Sequence, residues 1–395
     1  MNAPLRIGVL GLGRAFTLML PTWRDDARVQ LVAGFDPRQS ARQAFAQQLG
    51  GVAHDSAAAV CADPAVEWVY VATPHQMHAE HVGLAARCGK HVLLEKPMAL
   101  SLSEADQMIT ACQQAGTHLL IGHSHSYNAP VLLARRLIAS GRFGAVRMIH
   151  AMQYTDFLYR PRRPEELDTA QGGGVIFSQA AHQVDVVRLL AGGLVERVSA
   201  VSGRWDPLRP TEGAYSALLS FAGGAFASLS YNGYGHYDSD LLMDGLGELG
   251  QPKNPQAHAL TRQRHAQMSD ELAEAQAKAE RNFGGSAYQE AAPQPPQAAQ
   301  HFGPVLISCD QADLRLTPLG VEVHGAQGRQ FIAAELPAVP RGEVVDEMWS
   351  VGRLGQAARH DGLWSRATLE VCLAILASQA QQADVWLSHQ VAVRA

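Results

Sequence analysis

Two glycines near the N-terminus have the spacing of a phosphate-binding turn. The stretch Gly11-Leu12-Gly13-Arg14-Ala15-Phe16 follows a short apolar run that ends at Leu10. Glycines here allow a tight turn and a close approach of the backbone to a pyrophosphate, which the N-terminus of a following helix would stabilise. Phe16 replaces the usual third glycine, so the helix is expected to pack less closely on the sheet, and Pro21 can kink it. Alone, the motif also fits a plain strand-to-helix turn.

Asp36 lies 20 residues beyond Phe16, at the end of the second apolar run. A carboxylate there can accept hydrogen bonds from the ribose hydroxyls of adenosine, and it would repel a 2′-phosphate, which favours NAD. Arg38 could bind that phosphate instead, so NADP stays open. The alternative is that Asp36 caps a helix before Pro37. The two signals together predict a dinucleotide site formed by Gly11, Gly13, Arg14, Ala15, Asp36 and Arg38.

The elements that would position these residues alternate between short apolar runs and stretches with helical periodicity. This β-α-β order predicts a doubly wound parallel sheet over residues 1–125. The expected strands are Arg6 to Leu10, Val29 to Phe35, Trp68 to Ala72, His91 to Leu94 and His118 to Ile121, and the helices between them Gln39 to Leu49, Ala79 to Cys88 and Ser103 to Ala115.

Residues 126–395 have a different pattern, in which strands follow one another along the chain. This predicts an α+β second domain with a mostly antiparallel sheet, including a hairpin turn at Ala222-Gly223-Gly224. Residues 243–300 are rich in Gly, Pro, Gln and Ala and are interpreted as a partly mobile surface insertion, with a lid over a site as the alternative. A polar helix is expected within it, at Ser269 to Arg281.

Four further motifs give the chain a resemblance to a known family. They are Thr73-Pro74-His75-Gln76-Met77-His78, Glu95-Lys96-Pro97, Gly173-Gly174 and His182-Gln183-Val184-Asp185. With them the sequence resembles the glucose–fructose oxidoreductase and inositol dehydrogenase (Gfo/Idh/MocA) family along nearly the whole chain apart from the insertion. The resemblance implies a Rossmann domain, a second domain with a large open sheet, and a homodimer or homotetramer.

The resemblance also implies roles for individual residues. Thr73, Pro74, His75, His78, Glu95 and Lys96 would contact the cofactor, Lys96–Pro97 would be cis, and Lys96 and His182 would handle the proton of the oxidised hydroxyl. A lysine facing a cationic nicotinamide should have a lowered pKa, which suits a general base. The alternatives are that Lys96 is an ordinary surface lysine and that His182 is a helical histidine whose hydrogen bonds are made within the protein. Ser178 replaces the carboxylate that the family carries four positions before His182.

Aromatic and arginine residues dominate the stretch expected to face the substrate. They suit a flat anionic ring, because arginine pairs bidentately with carboxylates, although a plain aromatic sheet face is the alternative. The candidate substrate contacts are His123, Tyr127, Tyr154, Arg160, Gln179 and His182. In its overall pattern, especially Gly13-Arg14-Ala15-Phe16 and the long insertion before His301-Phe302-Gly303-Pro304, the sequence is similar to the branch of the family that oxidises cis-dihydrodiols of phthalate. This resemblance implies 4,5-dihydro-4,5-dihydroxyphthalate as substrate and a catechol as product. An inositol or sugar dehydrogenase and a non-catalytic nicotinamide sensor stay open.

Composition excludes several other classes. The chain has 395 residues and a formal net charge of −5, which gives no basic surface for nucleic acid or anionic membrane. The five cysteines form no C-x-x-C pair and are expected to be reduced thiols of a cytoplasmic protein. His75, His78 and His81 recur every three residues, but zinc sites usually add cysteine or carboxylate ligands, so no metal is expected.

Overall fold

The computed structural model describes residues 3–122, 124–289 and 295–394. The chain forms two compact units. The first comprises Met1–His123, Ala275–Pro295 and Pro337–Arg366, and the second comprises Ser124–Glu274, Pro296–Leu336 and Ala367–Ala395. The division therefore differs from the expected single boundary near residue 125, because two later segments return to the first unit.

A parallel sheet forms the centre of the first unit. Its strand order in the described residues is β3-β2-β1-β4-β5-β6, which confirms the predicted doubly wound fold. Strands such as β1 and β4 are buried along almost their whole length, as expected where both faces of a parallel sheet are covered. The strands are β1 Leu5–Leu10, β2 Val29–Phe35, β3 Val52–Ala53, β4 Trp68–Val71, β5 His91–Leu94 and β6 Leu119–Ile121.

The helices of this unit begin and end at ordinary sequence signals. Ser101 and Glu104 form a capping box at the start of α5, and α2 ends at Gly50 in the left-handed conformation. Pro21 lies inside α1, which continues through it. The helices in this part of the chain are α1 Arg14–Asp25, α2 Gln39–Leu49, α3 Ala57–Ala62, α4 His78–Arg87 and α5 Leu102–Ala115.

The second unit contains a wide sheet with the order β14-β13-β12-β11-β7-β10-β9-β8-β15 among its described residues. The β7–β10 pair is parallel, and the other described pairs are antiparallel. The mostly antiparallel second sheet and the β9–β10 hairpin are therefore confirmed. The strands are β7 Val146–Tyr154, β8 Val195–Gly203, β9 Ala214–Phe221, β10 Phe226–Asn232, β11 Val305–Cys309, β12 Ala312–Thr317, β13 Gly320–Gly325, β14 Gly328–Ala333 and β15 Val385–Trp386.

Helices α6 and α7 pack on that sheet, and α6 contacts β12 and β13. Helix α7 packs on β7 and β10 and is preceded by a π-helical turn at Ile176–Ala180. Such turns are rare and often lie at functional sites. The helices from residue 129 onward are α6 Ala129–Ala139, α7 Ala181–Ala191, α8 Ala257–Ala266, α9 Glu271–Glu280, α10 Gly342–Leu354 and α11 Gly362–Gln381.

The insertion forms defined structure where it is described. Helix α9 occupies the position of the predicted polar helix, and α8 precedes it. Residues up to Glu274 belong to the second unit, and Ala275–Pro295 belongs to the first. Among the described residues, no helix is both long and apolar enough to cross a membrane.

Candidate functional site

The glycine turn after β1 is shaped by a close backbone approach. Gly11 has φ +91°, and a Cβ at this position would lie 2.6 Å from the carbonyl oxygen of Ala72, so only glycine fits. Gly13 is the N-cap of α1 and has no side chain to occupy the helix end. The first N–H groups of a helix have no intrahelical acceptor. Those of Arg14, Ala15 and Phe16 are therefore suited to the pyrophosphate of a dinucleotide.

Asp36 follows β2 and is clamped by Arg38. One carboxylate oxygen accepts hydrogen bonds from the Leu12 N–H at 2.8 Å and from Arg38 Nη2 at 3.1 Å. The other accepts from the Arg38 N–H and Nε, both at 2.9 Å. These four bonds use the four acceptor positions of a carboxylate. A ribose hydroxyl can therefore bind Asp36 only when the Arg38 guanidinium moves aside.

Phe16 explains why the third glycine of the turn is missing. Its ring is fully buried and lies 5.3 Å, edge to face, from the ring of Phe283 in the insertion. Arg38 Nη1 also donates to the Phe283 carbonyl oxygen at 3.2 Å. The segment around Phe283 is thus fixed beside the predicted ribose site. The expected looser packing of α1 is replaced by an aromatic pair.

The turn after β4 is held by a buried histidine. His78 lies with Nε2 3.0 Å from the Thr73 carbonyl oxygen, and Nδ1 lies 3.1 Å from that of Pro97 and 3.2 Å from that of Met98. Burial outweighs these carbonyl groups and lowers the pKa of His78 to about 4, so the ring is neutral at pH 7. Its position suits a support for both turns. Pro74 and His75 lie on the same turn, where His75 is half-buried, and its ring lies 5.6 Å from that of His78.

Glu95 and Lys96 lie at the end of β5. Glu95 is buried and accepts a hydrogen bond from the Tyr70 hydroxyl at 2.6 Å. Burial, with the negative charge of Glu95, raises the pKa of Tyr70 well above its ordinary value. Lys96 is half-buried, and its bond to Pro97 is cis, as the resemblance implies.

In the second unit, Phe302 lies at the centre of an aromatic cluster. Its ring centroid is 5.2 Å from that of His125, 5.1 Å from that of His182 and 6.0 Å from that of Tyr231. His125 and His182 also contact each other edge to face, at 4.7 Å. The next residue, Gly303, has φ +75°, and a Cβ there would lie 2.1 Å from Gln153 Oε1, so the chain can turn here only at glycine. The cluster presents imidazole rings beside a flat apolar ring.

Arg160 lies near this cluster with its guanidinium fixed at one edge. Its Nε donates to Asp156 Oδ1 at 2.8 Å, while its two Nη groups make no hydrogen bond to residues within the described ranges. Partial burial disfavours its charge, but the negative charges of Asp156 and Glu248 outweigh that effect and raise the pKa of Arg160. The two Nη groups form the fork that pairs with a carboxylate.

The two neighbouring arginines, Arg162 and Arg163, have partners within the protein. Arg162 stacks on the Phe157 ring at 3.5 Å and donates through Nη2 to the Phe157 carbonyl oxygen at 2.7 Å. Burial lowers the pKa of Arg162 to about 10. Arg163 pairs with Glu165 at 3.1 Å. Of the three arginines, Arg160 is the one whose charge interacts with both Glu248 and Tyr231 beside the cluster.

The other predicted substrate contacts lie in three places. Tyr127 is buried in a short turn before α6, and Tyr154 is half-buried at the end of β7. Gln179 is buried in the π-helical turn. His123 lies outside the described residues. Ser178, which replaces the expected carboxylate, donates to the carbonyl oxygen of Gly174.

Three residues of the cluster were not identified from the sequence. They are His125, Phe302 and Glu248, whose Oε1 lies 3.3 Å from His125 Nε2. The sequence signal for Phe302 was the stretch His301-Phe302-Gly303-Pro304, which follows the long insertion and is part of the resemblance to dihydrodiol dehydrogenases. A cavity of about 20 Å³ lies behind His125 and Phe302. It has room for one water molecule but not for a six-membered ring.

Comparisons with known proteins agree with this arrangement. The sequence model of the oxidoreductase family with an NAD-binding Rossmann fold, GFO/IDH/MocA, matches residues 5–123, and the model of the GFO/IDH/MocA C-terminal domain matches residues 131–274. A 1-carboxy-3-chloro-3,4-dihydroxycyclohexa-1,5-diene dehydrogenase from Comamonas testosteroni is 46% identical over 94% of this chain and 94% of its own length.

Solved structures show the same fold. A crystal structure from Bordetella bronchiseptica RB50 is 39% identical, with a TM-score of 0.91 over 97% of this chain and 100% of that one. The WlbA dehydrogenase from Bordetella pertussis, in complex with NADH and UDP-GlcNAcA, is 20% identical, with a TM-score of 0.66 over 98% of this chain and 99% of that one.

Proposed function

The chain belongs to the GFO/IDH/MocA oxidoreductase family and has its NAD-binding Rossmann domain, and from this premise we propose that it oxidises a carboxylated cis-dihydrodiol to a catechol. Support comes from the Comamonas relative, whose name describes a dihydroxycyclohexadiene that bears a carboxyl group. The particular substrate that we propose is 4,5-dihydro-4,5-dihydroxyphthalate.

The residues of the first unit fit NAD. The Gly11 turn leaves a cradle that a Cβ would fill, and the N–H groups of α1 suit the pyrophosphate. Asp36 is placed to bind the ribose hydroxyls once Arg38 is displaced. We propose that Thr73, Pro74, His75 and Glu95 line the nicotinamide end and that His78 supports them. When bound, NAD accepts the hydride from the substrate carbon.

The position and charge of Arg160 are the main support for the proposed substrate. Its Nε is held by Asp156, and its charge interacts with Tyr231 and Glu248, which contact the cluster of Phe302, His182 and His125. A carboxylate would bind its two Nη groups through two parallel hydrogen bonds. The substrate ring would then lie against aromatic faces, which suits a flat diene more than a polyol. Tyr127, Tyr154 and Gln179 are proposed as further contacts, together with His123.

We propose that Lys96 and His182 handle the proton. The oxidation breaks one C–H bond with transfer of hydride and removes the proton of the hydroxyl on the same carbon. The resulting hydroxydienone tautomerises to the aromatic catechol, so one diol and one NAD yield one catechol, one NADH and one proton. Lys96 would take the hydroxyl proton as a general base, and His182, hydrogen-bonded to the hydroxyl oxygen, would relay that proton and carry it in transit.

A panel of alcohols tests this function. NADH formation is followed by absorbance with cis-dihydrodiols that carry two, one or no carboxylates, and with inositol and sugars, using NAD and NADP in turn. The proposal predicts that carboxylated dihydrodiols have the highest kcat/KM. Higher kcat/KM with polyols would identify a sugar or inositol dehydrogenase. Tight NADH binding without turnover of any alcohol would identify a sensor.

We also propose a homo-oligomer formed through the second sheet. Large apolar side chains stand exposed along this sheet, among them Val201 at 63%, Phe226 at 42% and Phe331 at 48%. Such surface is commonly covered in an assembly. Sedimentation measurements would show a dimer or tetramer, and a monomer at micromolar concentration would contradict the proposal.

A further inference from the structure

We propose that Glu248, a residue of the insertion, acts through His125 as the counter-ion of His182. The inference rests on the proposed function, because it assumes that His182 takes part in the proton transfer. Glu248 and His125 are positioning residues in this arrangement, since neither is assigned a contact with substrate. The first part of the insertion would then serve the chemistry rather than only cover a surface.

The hydrogen bonds of His125 determine which nitrogen faces Glu248. Asn128 Nδ2 donates to the carbonyl oxygen of Gln300 at 2.7 Å and lies 2.9 Å from His125 Nδ1. Because a carbonyl oxygen can only accept, the Asn128 amide is oriented with its NH₂ group toward both partners. Nδ1 of His125 therefore accepts, and Nε2 carries the proton that points at Glu248 Oε1, 3.3 Å away.

A folded platform holds Glu248 in place. It lies in a tight reversal of the chain closed by a bridge between Leu246 and Pro252. The backbone carbonyl of Glu248 accepts from the His301 N–H at 3.1 Å. His301 Nε2 lies 3.0 Å from the Leu246 carbonyl oxygen, and its Nδ1 accepts from the Gly303 N–H at 3.1 Å. The residue before Phe302 is thus bonded directly to the segment that carries Glu248.

The carboxylate on the helix of His182 is directed elsewhere. Asp185 accepts hydrogen bonds from the Ser126 hydroxyl and, at 2.8 Å, from the Thr368 hydroxyl. Position 178, one turn before His182, is a serine bonded to the Gly174 carbonyl oxygen. His182 is only 5% exposed, and a positive charge in such a place needs a nearby negative one. Glu248 meets this need through the ring of His125.

The other charged groups near the histidine pair have their own partners. On α7, Arg188 donates to Thr368 and Gln390. From β10, the Tyr231 hydroxyl bonds to Thr155 at 2.8 Å, and burial raises its pKa above the ordinary range. Arg160 is paired with Asp156 and also interacts electrostatically with Glu248, and His301 is bonded as described above. Within the described ranges, Glu248 is the carboxylate that lies within hydrogen-bond distance of His125, 3.3 Å from its Nε2.

The experiment compares Glu248→Gln and Glu248→Ala with Asp244→Asn. Asp244 is an exposed carboxylate of the same insertion in the left-handed conformation, which asparagine tolerates, so it is a matched control for loss of charge. Turnover, NADH binding and thermal unfolding are measured for each variant, with and without added formate. Side-chain ¹⁵N NMR of the wild type and of Glu248→Gln reports the protonation of His125 and His182.

We expect Glu248→Gln to lower kcat roughly 10–100-fold. This is the effect expected if loss of the carboxylate charge lowers the pKa of the histidine pair by about one to two units. NADH affinity and the KM for NAD should stay within about twofold, and Asp244→Asn should match the wild type. Formate should restore activity to Glu248→Ala, because it supplies a carboxylate to the vacated space, but not to Glu248→Gln. The histidine pair should also lose its proton at a lower pH in Glu248→Gln.

Two results would overturn the inference. One is a Glu248→Gln enzyme with kcat within about twofold of the wild type. The other is a loss of kcat that formate does not restore in Glu248→Ala, which would assign Glu248 a purely structural role. A wild type that turns over no dihydrodiol would refute the proposed function instead, and unchanged histidine protonation in Glu248→Gln would then refute the inference separately.

Discussion

The predicted cofactor residues of the first unit are paired or neutral groups, whereas the aromatic cluster of the second unit presents rings near a guanidinium. In the first unit, Asp36 is matched by Arg38, Glu95 by the Tyr70 hydroxyl, and His78 by backbone carbonyls. In the second, the Arg160 guanidinium is bonded to Asp156 through Nε, and the rings of His182 and Phe302 lie 5.1 Å apart. In the proposed function, the first group binds parts that every dinucleotide shares, and the second contacts the parts that distinguish one substrate from another.

This difference predicts which variants affect all substrates and which affect only some. Changes in the first unit should alter the cofactor or the chemistry for every diol. Changes in the second should depend on the groups that the diol carries. The insertion contributes to both, through Phe283 in the first unit and Glu248 in the second.

Replacement of Lys96 should have the largest effect. Lys96→Ala is expected to lower kcat by roughly 10²–10⁴-fold for every diol, because the general base is lost. Lys96→Arg should be equally impaired, since arginine keeps the charge but does not release its proton near neutral pH. Stopped-flow absorbance measures the chemistry, and NADH fluorescence measures binding, which should change little. A Lys96→Ala enzyme with more than a tenth of the wild-type kcat would remove the lysine from the mechanism.

Replacement of Arg160 should separate substrates by charge. Arg160→Met is expected to raise the KM for carboxylated dihydrodiols by roughly 30–100-fold, because a charge-assisted pair of hydrogen bonds is lost. Uncharged dihydrodiols should be unaffected. The matched control is Arg163→Met, an arginine of the same loop that pairs with Glu165. An equal effect of Arg160→Met on charged and uncharged diols would contradict the proposal that Arg160 binds the substrate carboxylate.

Replacement of Asp36 should change the choice of cofactor. Asp36→Ser is expected to raise the KM for NAD roughly 10-fold, from the loss of hydrogen bonds to a charged acceptor. The same variant releases Arg38 from its clamp and should improve the use of NADP. Steady-state kinetics with both cofactors test this, with the exposed Asp25→Ser as control. Arg38 also donates to the carbonyl oxygens of Leu12 at 2.9 Å and Phe283 at 3.2 Å, and an unchanged ratio of NAD to NADP use would show that these bonds hold it in place.

The smallest predicted effect concerns acid stability and His78. Its pKa is lowered to about 4 in the folded protein, so between about pH 6.5 and about pH 4 the unfolded chain binds more protons than the folded one. Stability should therefore fall as the pH drops through that window, by up to about 1.4 kcal/mol per pH unit from this group. Urea unfolding should show a shallower pH dependence for His78→Asn and an unchanged one for the exposed His150→Asn. Equal slopes in all three proteins would contradict this assignment.

The sequence predicted the elements whose signals are local. The first sheet and the hairpin at Ala222-Gly223-Gly224 follow from apolar runs and turn residues, and Gly11 and Asp36 lie at strand ends, as the motif requires. Strand β12 and helix α10 were not identified. The return of residues 337–366 to the first unit was not foreseen, because no local pattern records which sheet a later helix will cover.

The aromatic cluster and the charged residues near it were harder to predict, because these residues are far apart in the chain. His123 and His125 flank Ser124, and nothing in the sequence distinguished the histidine that contacts Phe302. Glu248 lies in a stretch without periodicity, and its contact with His125 depends on a tertiary hydrogen bond to His301. Arg160 could be distinguished from Arg162 only when the contacts of Arg162 with Phe157 were known.

The contact between Phe16 and Phe283 has a consequence for the divergence of related chains. Both rings are buried, so loss of either one alone would leave a void against the other, at a cost of roughly 3–5 kcal/mol for a phenylalanine truncated to alanine. A related chain with glycine at the position of Phe16 would therefore keep this void unless Phe283 were also replaced. The two sites should accordingly be inherited as a pair, and an aromatic residue at the start of the first helix should mark genes that encode the long insertion.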